Sequence, residues 1–487
     1  MNPLFLALDI GTSSSRTALF DSTGERIGAS TAQQTYPLQT DSDGAATMKP
    51  GALLKAIHHC LCKSLAYRKQ QKHLQNRPIL GIGVSCFWHS LVGTDASGTP
   101  LTDIYTWADS RCRVDATHLR EALSERNIHA RTGCMLRSSF WPAKLHWLRR
   151  TAPGSFKRVK RWMSPAEWVQ LQLGASANCA IGMATGTGLL NPTTLQWDPG
   201  LLEFLCVSPS QLLPLGDGAS GVATKISKQF PELRDTAWFP AIGDGAASNL
   251  GSGCTKPGLA AINVGTSAAL RVMMEGKSAK APFGLFCYRV DQRRFLVGGA
   301  VSNAGNLRAW CLENLRTLDE SELEKLLATR PAPEHGLTVL PFWTAERAPT
   351  WNESLHGSIL GITQATSSID LLQAITESTY HRLAYIAELL CAKHGAVDKY
   401  LVSGGIQRSA TALQRLANVM NVPLHPNPEP EASIRGAAVF AMENLGVTPR
   451  ELEATRVLRP QRKIAALYAE ERRKHLALEA LLSRAQR

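Results

Sequence analysis

The sequence predicts an α/β fold in two halves, and three observations carry that prediction. A hairpin-like segment near the start, Leu6-Ala-Leu-Asp-Ile-Gly-Thr-Ser-Ser-Ser-Arg16, is echoed by Ala260-Ala-Ile-Asn-Val-Gly-Thr-Ser-Ala-Ala-Leu-Arg271. After each copy strand signals come first and helical ones alternate behind them, as in an α/β chain. The 487 residues are 44% hydrophobic and 19% charged, enough apolar material for two cores of ordinary size and too much for a disordered chain.

Each copy of the echo is an apolar run ending in Asp or Asn, one apolar residue, Gly-Thr-Ser, and a second apolar run. That is the pattern of a β-hairpin whose turn presents backbone N–H groups and hydroxyls together. In the first half, a strand at 25–29, a helix over Pro50–Gln70, a strand at 79–85 and a hairpin at 90–95 with an Asp95–Gly98 turn are expected next. In the second half the expectations are strands at 284–290 and 294–297, helices at 303–315 and 369–393, and a strand at Lys399–Ser403. Ligands in such folds gather at the carboxyl ends of strands, where both Gly-Thr-Ser turns fall.

Charge and cysteine content narrow the function classes. Lys and Arg number 53 against 40 Asp and Glu, a formal net charge of +13 that suits anionic partners. Part of the excess sits in residues 447–487, from Arg450 to Arg487. Ile464, Leu467, Tyr468, Leu478, Leu481 and Leu482 recur there at near-helical spacing without interleaved aromatics. This reads as a surface helix with a solvated basic face, so no nucleic-acid partner is expected. The 11 cysteines are scattered and odd in number, as in a reduced protein. No signal-peptide pattern and no uncharged run of about 18 residues is present, so the expectation is a cytoplasmic protein without membrane association. Oligomeric state is left open, a homodimer included.

Turns that hold polyphosphate need small residues, hydroxyls, and a carboxylate to hold Mg²⁺ through water. The first turn has Gly11, the hydroxyls of Thr12 to Ser15, Asp9 at the strand end and Arg16; the second has Gly265, Thr266 and Ser267 but Asn263 in place of the acid. A metal would favour the first half. Asp244 lies in a Gly/Ala-rich stretch, where a substrate could approach it as a general base requires. The same residue would serve equally as the N-cap of a helix at 246–250. Val402-Ser-Gly-Gly-Ile-Gln-Arg-Ser409 follows a strand and opens a helix, so its amides could meet a nucleotide. His58-His-Cys-Leu-Cys62 reads as packing in a helix rather than a metal site. Arg347 is either a solvated charge or a residue that orders its loop.

These segments resemble the FGGY carbohydrate kinases, and among them the gluconate kinases. Asp9–Arg16 is similar to the family's first phosphate motif and Asn263–Ser267 to its second. Ser403-Gly-Gly405 with Glu431-Ala-Ser-Ile-Arg-Gly-Ala-Ala438 resembles the adenosine motif and its following helix. Trp88-His-Ser-Leu91, Thr106-Trp-Ala-Asp-Ser-Arg111, Arg131-Thr-Gly-Cys134 and Leu340-Pro-Phe-Trp-Thr-Ala-Glu-Arg-Ala-Pro349 are similar to segments of gluconate kinases. The resemblance runs from about residue 5 to about 445.

The resemblance implies two actin-like (ribonuclease H-like) domains with an interdomain active-site cleft that takes ATP, Mg²⁺ and a small sugar or sugar acid. It implies an N-terminal domain over 1–244, a C-terminal nucleotide-side domain over 245–446, and a basic tail over 447–487. Carried over by position, Asp9 would bind Mg²⁺ through water. Thr12, Ser13 and Arg16 would contact the transferring phosphate, with Ser14 beside them. Gly265 and Thr266 would hold the β-phosphate side, Gly404, Gly405 and Ser409 would lie by the adenosine, and Asp244 would be the catalytic base. His89, Trp107, Asp109 and Arg111 fall where sugar contacts are made, with Arg111 the candidate cation for a substrate carboxylate.

The chain departs from the family at Trp88, where Met is usual, and at Trp141-Pro142 before Lys144. It departs again at Ala46-Thr-Met-Lys-Pro50, where an acidic ending is usual. These bear on the substrate, not on the phosphate and base residues. D-Gluconate is the expected acceptor, a pentulose or polyol the alternative, and a non-catalytic sugar sensor a third reading that the fold alone permits.

Overall fold

The computed structural model describes residues 2–453 and 456–485; Met1 and Arg487, both within ranges given above, lie outside them. In the first half β1 (Leu4–Ile10) forms a hairpin with β2 (Ser14–Asp21), and β2 pairs with β3 (Ala32–Thr35). All of β1 is buried, as a strand covered on both faces must be. Helix α1 (Pro50–Gln70) covers one face, with Ser64 Oγ 2.7 Å from Thr17 Oγ1, and begins at Pro50 because proline suits a first helical position. Strand β4 (Ile79–Cys86) runs parallel to β1, and β5 (Ala237–Trp238) parallel to β4. Between β4 and β5 the chain builds short helices around a separate apolar cluster that includes Leu145, Trp141 and Trp162.

Helix α2 (Asp244–Gly251) leads into the second half. There β6 (Leu259–Val264) pairs antiparallel with β7 (Ala268–Glu275), and β8 (Phe286–Arg289) and β9 (Arg294–Val301) extend that edge. After α3 (Gly305–Asn314) and α4 (Ser368–His394), β10 (Lys399–Ser403) runs parallel to β6. Then α5 (Ala410–Met420) leads to β11 (Leu424–Pro426), parallel to β10. The five strands β5-β4-β1-β2-β3 correspond in order to β11-β10-β6-β7-β9, with β8 an extra edge strand in the second half, and the registers beside the two turns correspond as well. Asp9 stands opposite Arg16 on β2 and Ser85 on β4; Asn263 stands opposite Ala269 on β7 and Ser403 on β10.

Two local expectations are corrected. At 25–29 there is a single bridge between Phe20 and Arg26 and then a 3₁₀ turn at Gly28–Ser30, because glycines at 24 and 28 take positive φ and turn the chain before a ladder can form. The Asp95–Gly98 turn is present, with Asp95 Oδ1 accepting from the N–H of Ser97 and Thr99. The strand before it, Val92–Thr94, nevertheless pairs with Arg161–Met163; its own return is one bridge at Pro100, which has no N–H with which to extend a ladder.

Helix α6 (Ala432–Asn444) follows the second sheet in sequence, yet its Ile434 and Ala437–Met442 sit in the first half's core. It crosses α2 with bare backbone. A Cβ on Gly436 would lie 1.8 Å from the Ala247 carbonyl oxygen, one on Gly251 1.7 Å from that of Ala432, and one on Gly83 of β4 1.8 Å from that of Ala437. The buried Arg435 guanidinium spans the crossing, donating to the carbonyls of Gly24, Gly251 and Arg450. The last helix, α7 (Arg462–Ala485), buries Tyr468, His475 and Glu479 against the second half, with Ile464, Leu478 and Leu482 packed beside them. Leu467 and Leu481 are 48% and 64% exposed, at the edge of the apolar stripe. Among the described residues no helix is long and apolar enough to cross a membrane.

The crossing makes a prediction whose sign opposes helix propensity. Alanine in place of a mid-helix glycine ordinarily gains up to about 1 kcal/mol. At Gly436 the added methyl would meet an immovable carbonyl, so Gly436→Ala should destabilise by about 3 kcal/mol, read as a lower midpoint in thermal or urea unfolding.

Candidate active site

Both hairpin turns are held rigidly. In the first, Gly11 N–H donates to Ser14 O at 2.9 Å and the Tyr36 hydroxyl donates to Gly11 O. Thr12 Oγ1 accepts from the Trp107 indole at 3.0 Å, Ser14 Oγ accepts from Gln33 at 3.1 Å, and Ser13 is exposed. Arg16 pairs with Asp9 at 2.5 Å and with Glu431, while Asp9 Oδ2 also accepts from Ser433 at 3.1 Å. Glu431 and Ser433 belong to the start of α6, so the crossing helix delivers its first turn to the strand-end carboxylate.

In the second turn Gly265 N–H donates to Ser267 O, and Gly265 O and Thr266 O accept from the N–H groups of Gly305 and Asn306, fastening the start of α3 beside it. A cavity of ≈ 1210 Å³ opens there, lined by Gly265, Thr266, Asn306, Gly405, Arg408 and Ser409 among others. It is large enough for a nucleoside triphosphate. Gly404 has φ 94°, and a Cβ there would lie 2.5 Å from Val264 O, so only glycine lets this loop lie against β6. Gly405 leaves its side open to the cavity. Ser409 caps α5, accepting from Ala412 N–H at 2.9 Å and donating to Glu324.

A second cavity, ≈ 390 Å³, lies between the halves and is lined by Trp107 and Ser139 on one side and Arg347 on the other. Thr266 and Asn306 line both cavities, so the two are neighbours across the second turn. The Arg347 guanidinium lies 5.2 Å from the Trp107 ring centre and donates to Ser302 Oγ and Val301 O, each at 3.1 Å. Burial pulls its pKa down to about 10. Of the two sequence alternatives for Arg347, the structure has the loop-ordering one, inside the cleft.

Asp244 is the first residue of α2, not its N-cap; that position is Gly243. Asp244 is exposed, and its carboxylate accepts from Gly245 N–H at 2.8 Å. Crowding by protein on the remaining sides pushes its pKa above the ordinary carboxylate range. Arg271 is the strongest opposing influence, Arg347 a weaker one, and Asp9 adds to the rise. Asp9, Asp244, Arg271 and Arg347 therefore share one electrostatic environment.

Trp88 lies flat over bare backbone: a Cβ on Gly243 would meet its ring at 1.8 Å, and one on Gly186 at 2.4 Å. Its indole donates to Gly182 O at 3.0 Å and its ring is 4.9 Å from that of Tyr288. His89 takes φ 65° and stands against Phe140 and Tyr288, with Nδ1–H donating to Gly186 O. Asp109 and Arg111 are turned toward each other: Arg111 Nε and Nη2 donate to the two Asp109 oxygens at 3.1 and 2.5 Å, and the guanidinium stacks over Trp147 at 4.7 Å. From that segment Trp107, Ala108 and Ser110 line the cavity.

The sequence reading singled out neither Arg271 nor Ser433, and gave Glu431 no role. Arg271 stands in the second copy of the echo, one residue past the position that aligns with Arg16 on the Gly-Thr-Ser turn.

These geometries define a class: a duplicated α/β phosphotransferase with a nucleotide-sized cavity on one half and a carboxylate-bearing floor between the halves. The chain belongs to the FGGY family of carbohydrate kinases, whose N-terminal domain model matches residues 4–251 and whose C-terminal domain model matches 260–445. It is 26% identical over 462 residues to the gluconokinase of Bacillus subtilis (92% of this chain, 88% of that one), and 25% identical over 451 residues to the xylulose kinase of Haemophilus influenzae (90% of each). Among solved structures it is similar to gluconate kinase from Lactobacillus acidophilus (TM-score 0.91, 25% identity, 99% of this chain and 98% of that one). It is equally similar to the ligand-bound xylulose kinase of the same organism (TM-score 0.91, 26% identity, the same coverage). The protein is a sugar kinase of this family, and kinases of this kind take ATP, typically with Mg²⁺.

His89 supplies a test of the site's desolvation. Burial lowers its pKa to about 3, so the ring stays neutral with its proton on Nδ1. NMR should find its ring shifts constant between about pH 5 and 8, whereas an exposed histidine would titrate near 6.5.

Proposed function

We propose that this kinase phosphorylates a terminal hydroxyl of a small sugar acid, D-gluconate, at the expense of MgATP, forming 6-phosphogluconate. The observation that carries the sugar-acid reading is the state of Arg271, which acts on Asp244 while its Nε and Nη1 have no hydrogen-bond partner among the described residues. An anionic acceptor would neutralise that unpartnered cation; a neutral ketose or polyol would not. The relatives named gluconokinase support it, and those named xylulose kinase and glycerol kinase keep a pentulose or polyol as the second reading.

In this reading Asp244 takes the proton of the attacking hydroxyl. Its raised pKa makes it a better base than a free aspartate, while Arg271 and the start of α2 keep it ionised at neutral pH. The nucleotide supplies an electrophilic phosphorus, with Mg²⁺ neutralising its phosphates. Asp9 would hold that ion through water, and its fit rests on a carboxylate nearly buried, fixed by Arg16 and Ser433, beside a turn of small residues and hydroxyls. Arg16, Thr12, Ser13 and Ser14 would bind the transferring phosphate, and Gly265 and Thr266 the β-phosphate side. Gly404 and Gly405 would border the adenosine, with Ser409 acting through the cap of α5. His89 and Trp107 would wall the sugar. Positioning and charge neutralisation are most of what phosphoryl transfer asks of a protein.

An ADP-release assay over D-gluconate, D-xylulose, glycerol and D-glucitol tests the acceptor; preference for a neutral compound would overturn the sugar-acid reading. Asp244→Asn should lower kcat by about 10³-fold with nucleotide affinity nearly intact, and wild-type turnover in that variant would remove Asp244 from the base role. Because the base must be ionised and its pKa is raised, kcat/KM should fall on acidification with an apparent pKa above the ~3.9 of free aspartate. A limb at or below that value would point to another base.

A further inference from the structure

Resting on the sugar-acid reading, we propose that Arg271 is the specificity residue that binds the acceptor's carboxylate. Arg113 lines the interdomain cavity but is exposed to solvent, so it carries no burial cost; the other arginines near Asp9 and Asp244 or in the sugar segments differ in what they already hold. Arg16 is taken by Asp9 and Glu431, and Arg111 gives two donors to the two oxygens of Asp109. Arg347 spends Nε and one terminal nitrogen on Ser302 and Val301. In Arg271, by contrast, Nε and Nη1 are shielded from solvent and have no hydrogen-bond partner among the described residues.

A guanidinium in that state is costly. A shielded donor left unmade costs about 1–3 kcal/mol, and more when charged, unless a ligand satisfies it. The residue projects from β7 to the start of α2, where a Cβ on Gly245 would lie 2.8 Å from Arg271 Nε. Arg271 therefore stands next to Asp244, whose own hydrogen bond goes to the Gly245 N–H. A carboxylate takes two parallel hydrogen bonds from Nη2 together with either Nε or Nη1, a geometry that an ammonium or a hydroxyl partner does not reproduce. By register Ala269 occupies the place of Arg16, and Arg271 stands two residues further along the same face. At about 3.3 Å per residue it is drawn back from the phosphate turn toward the acceptor.

The test is equilibrium binding, by calorimetry on the intact enzyme without nucleotide, of D-gluconate and of D-glucitol, which differs only in carrying CH₂OH in place of the carboxylate. Wild-type enzyme should prefer gluconate, and Arg271→Met should abolish the preference by weakening gluconate about 30-fold or more. Arg271→Lys should restore part of it, as a point charge without the fork. Arg271→Met should also unfold at no lower temperature than wild type, because it removes an unpartnered charge; a residue that served only the fold would lower it. A gluconate preference that survives in Arg271→Met, or is missing from the wild type, overturns the assignment. Equal weakening of both ligands also overturns it, since that is what a hydroxyl contact would give. The acceptor reading fails separately, if the wild type turns over no gluconate.

Discussion

The site depends on one contact, the crossing of α2 and α6 at bare backbone. Each helix begins at the chemistry: α2 with Asp244, α6 with Glu431 and Ser433, which hold Arg16 and Asp9. A helix start can be aimed only as well as its axis is held. Here the axes are locked by glycine against carbonyl at Gly251, Gly436 and Gly83, with Arg435 spanning the seam. The separation between the carboxylates of Asp244 and Asp9 is thus set by main chain, which packs with far less freedom than side chains do.

Charge in the cleft follows from that placement. Desolvation raises the cost of ionising Asp244, and Asp9 raises it further. The compensating cations divide by distance from the phosphate turns: Arg16 serves Asp9, whereas Arg271 and Arg347 act on Asp244. The second half thus contributes two arginines to the carboxylate at the start of α2, and the site is complete only when the halves are together. Ionised carboxylate and unsatisfied guanidinium side by side would be unfavourable in an inert fold; in the cleft of a sugar kinase the same arrangement is preorganisation.

Much of this was legible in the sequence because it is local. Pro50 marks the start of α1, strands at Lys399–Ser403 and the two hairpins follow from short-range pattern, and the Gly-Thr-Ser turns announce themselves twice. Glycine requirements set by distant contacts were not legible. Gly436 looks like a weak helix residue until Ala247 is seen across from it, and Trp88 reads as an odd substitution until Gly186 and Gly243 are found beneath it. Arg111 illustrates the converse: a motif position suggests a free cation, but Asp109 two residues earlier takes its fork. Arg271 was in plain view at the end of the second echo. That it is unpartnered is a fact about three dimensions, and residue spacing carries no such information.

The basic tail shows how an exposed-looking segment enters the chemistry. Most of its described arginines are exposed, Arg472 excepted, which donates to Val419 O and Glu388, but Glu479 turns in and pairs with Arg382 at 2.5 Å, and Arg382 in turn donates to Glu346 at 2.9 Å, directly before Arg347 in the chain. Thr350 closes the group by donating to Glu479 at 2.6 Å. Burial pushes Glu346 up to about 7, with Arg382 opposing. A buried guanidinium between two carboxylates contributes little net stability but accepts only one geometry. Leu478 and Leu482 pack beneath Phe342 and fix the same strand exit. The last helix therefore braces the loop that carries Arg347 over Trp107, and the cavity between the halves owes one of its walls to residues more than a hundred positions away in the chain.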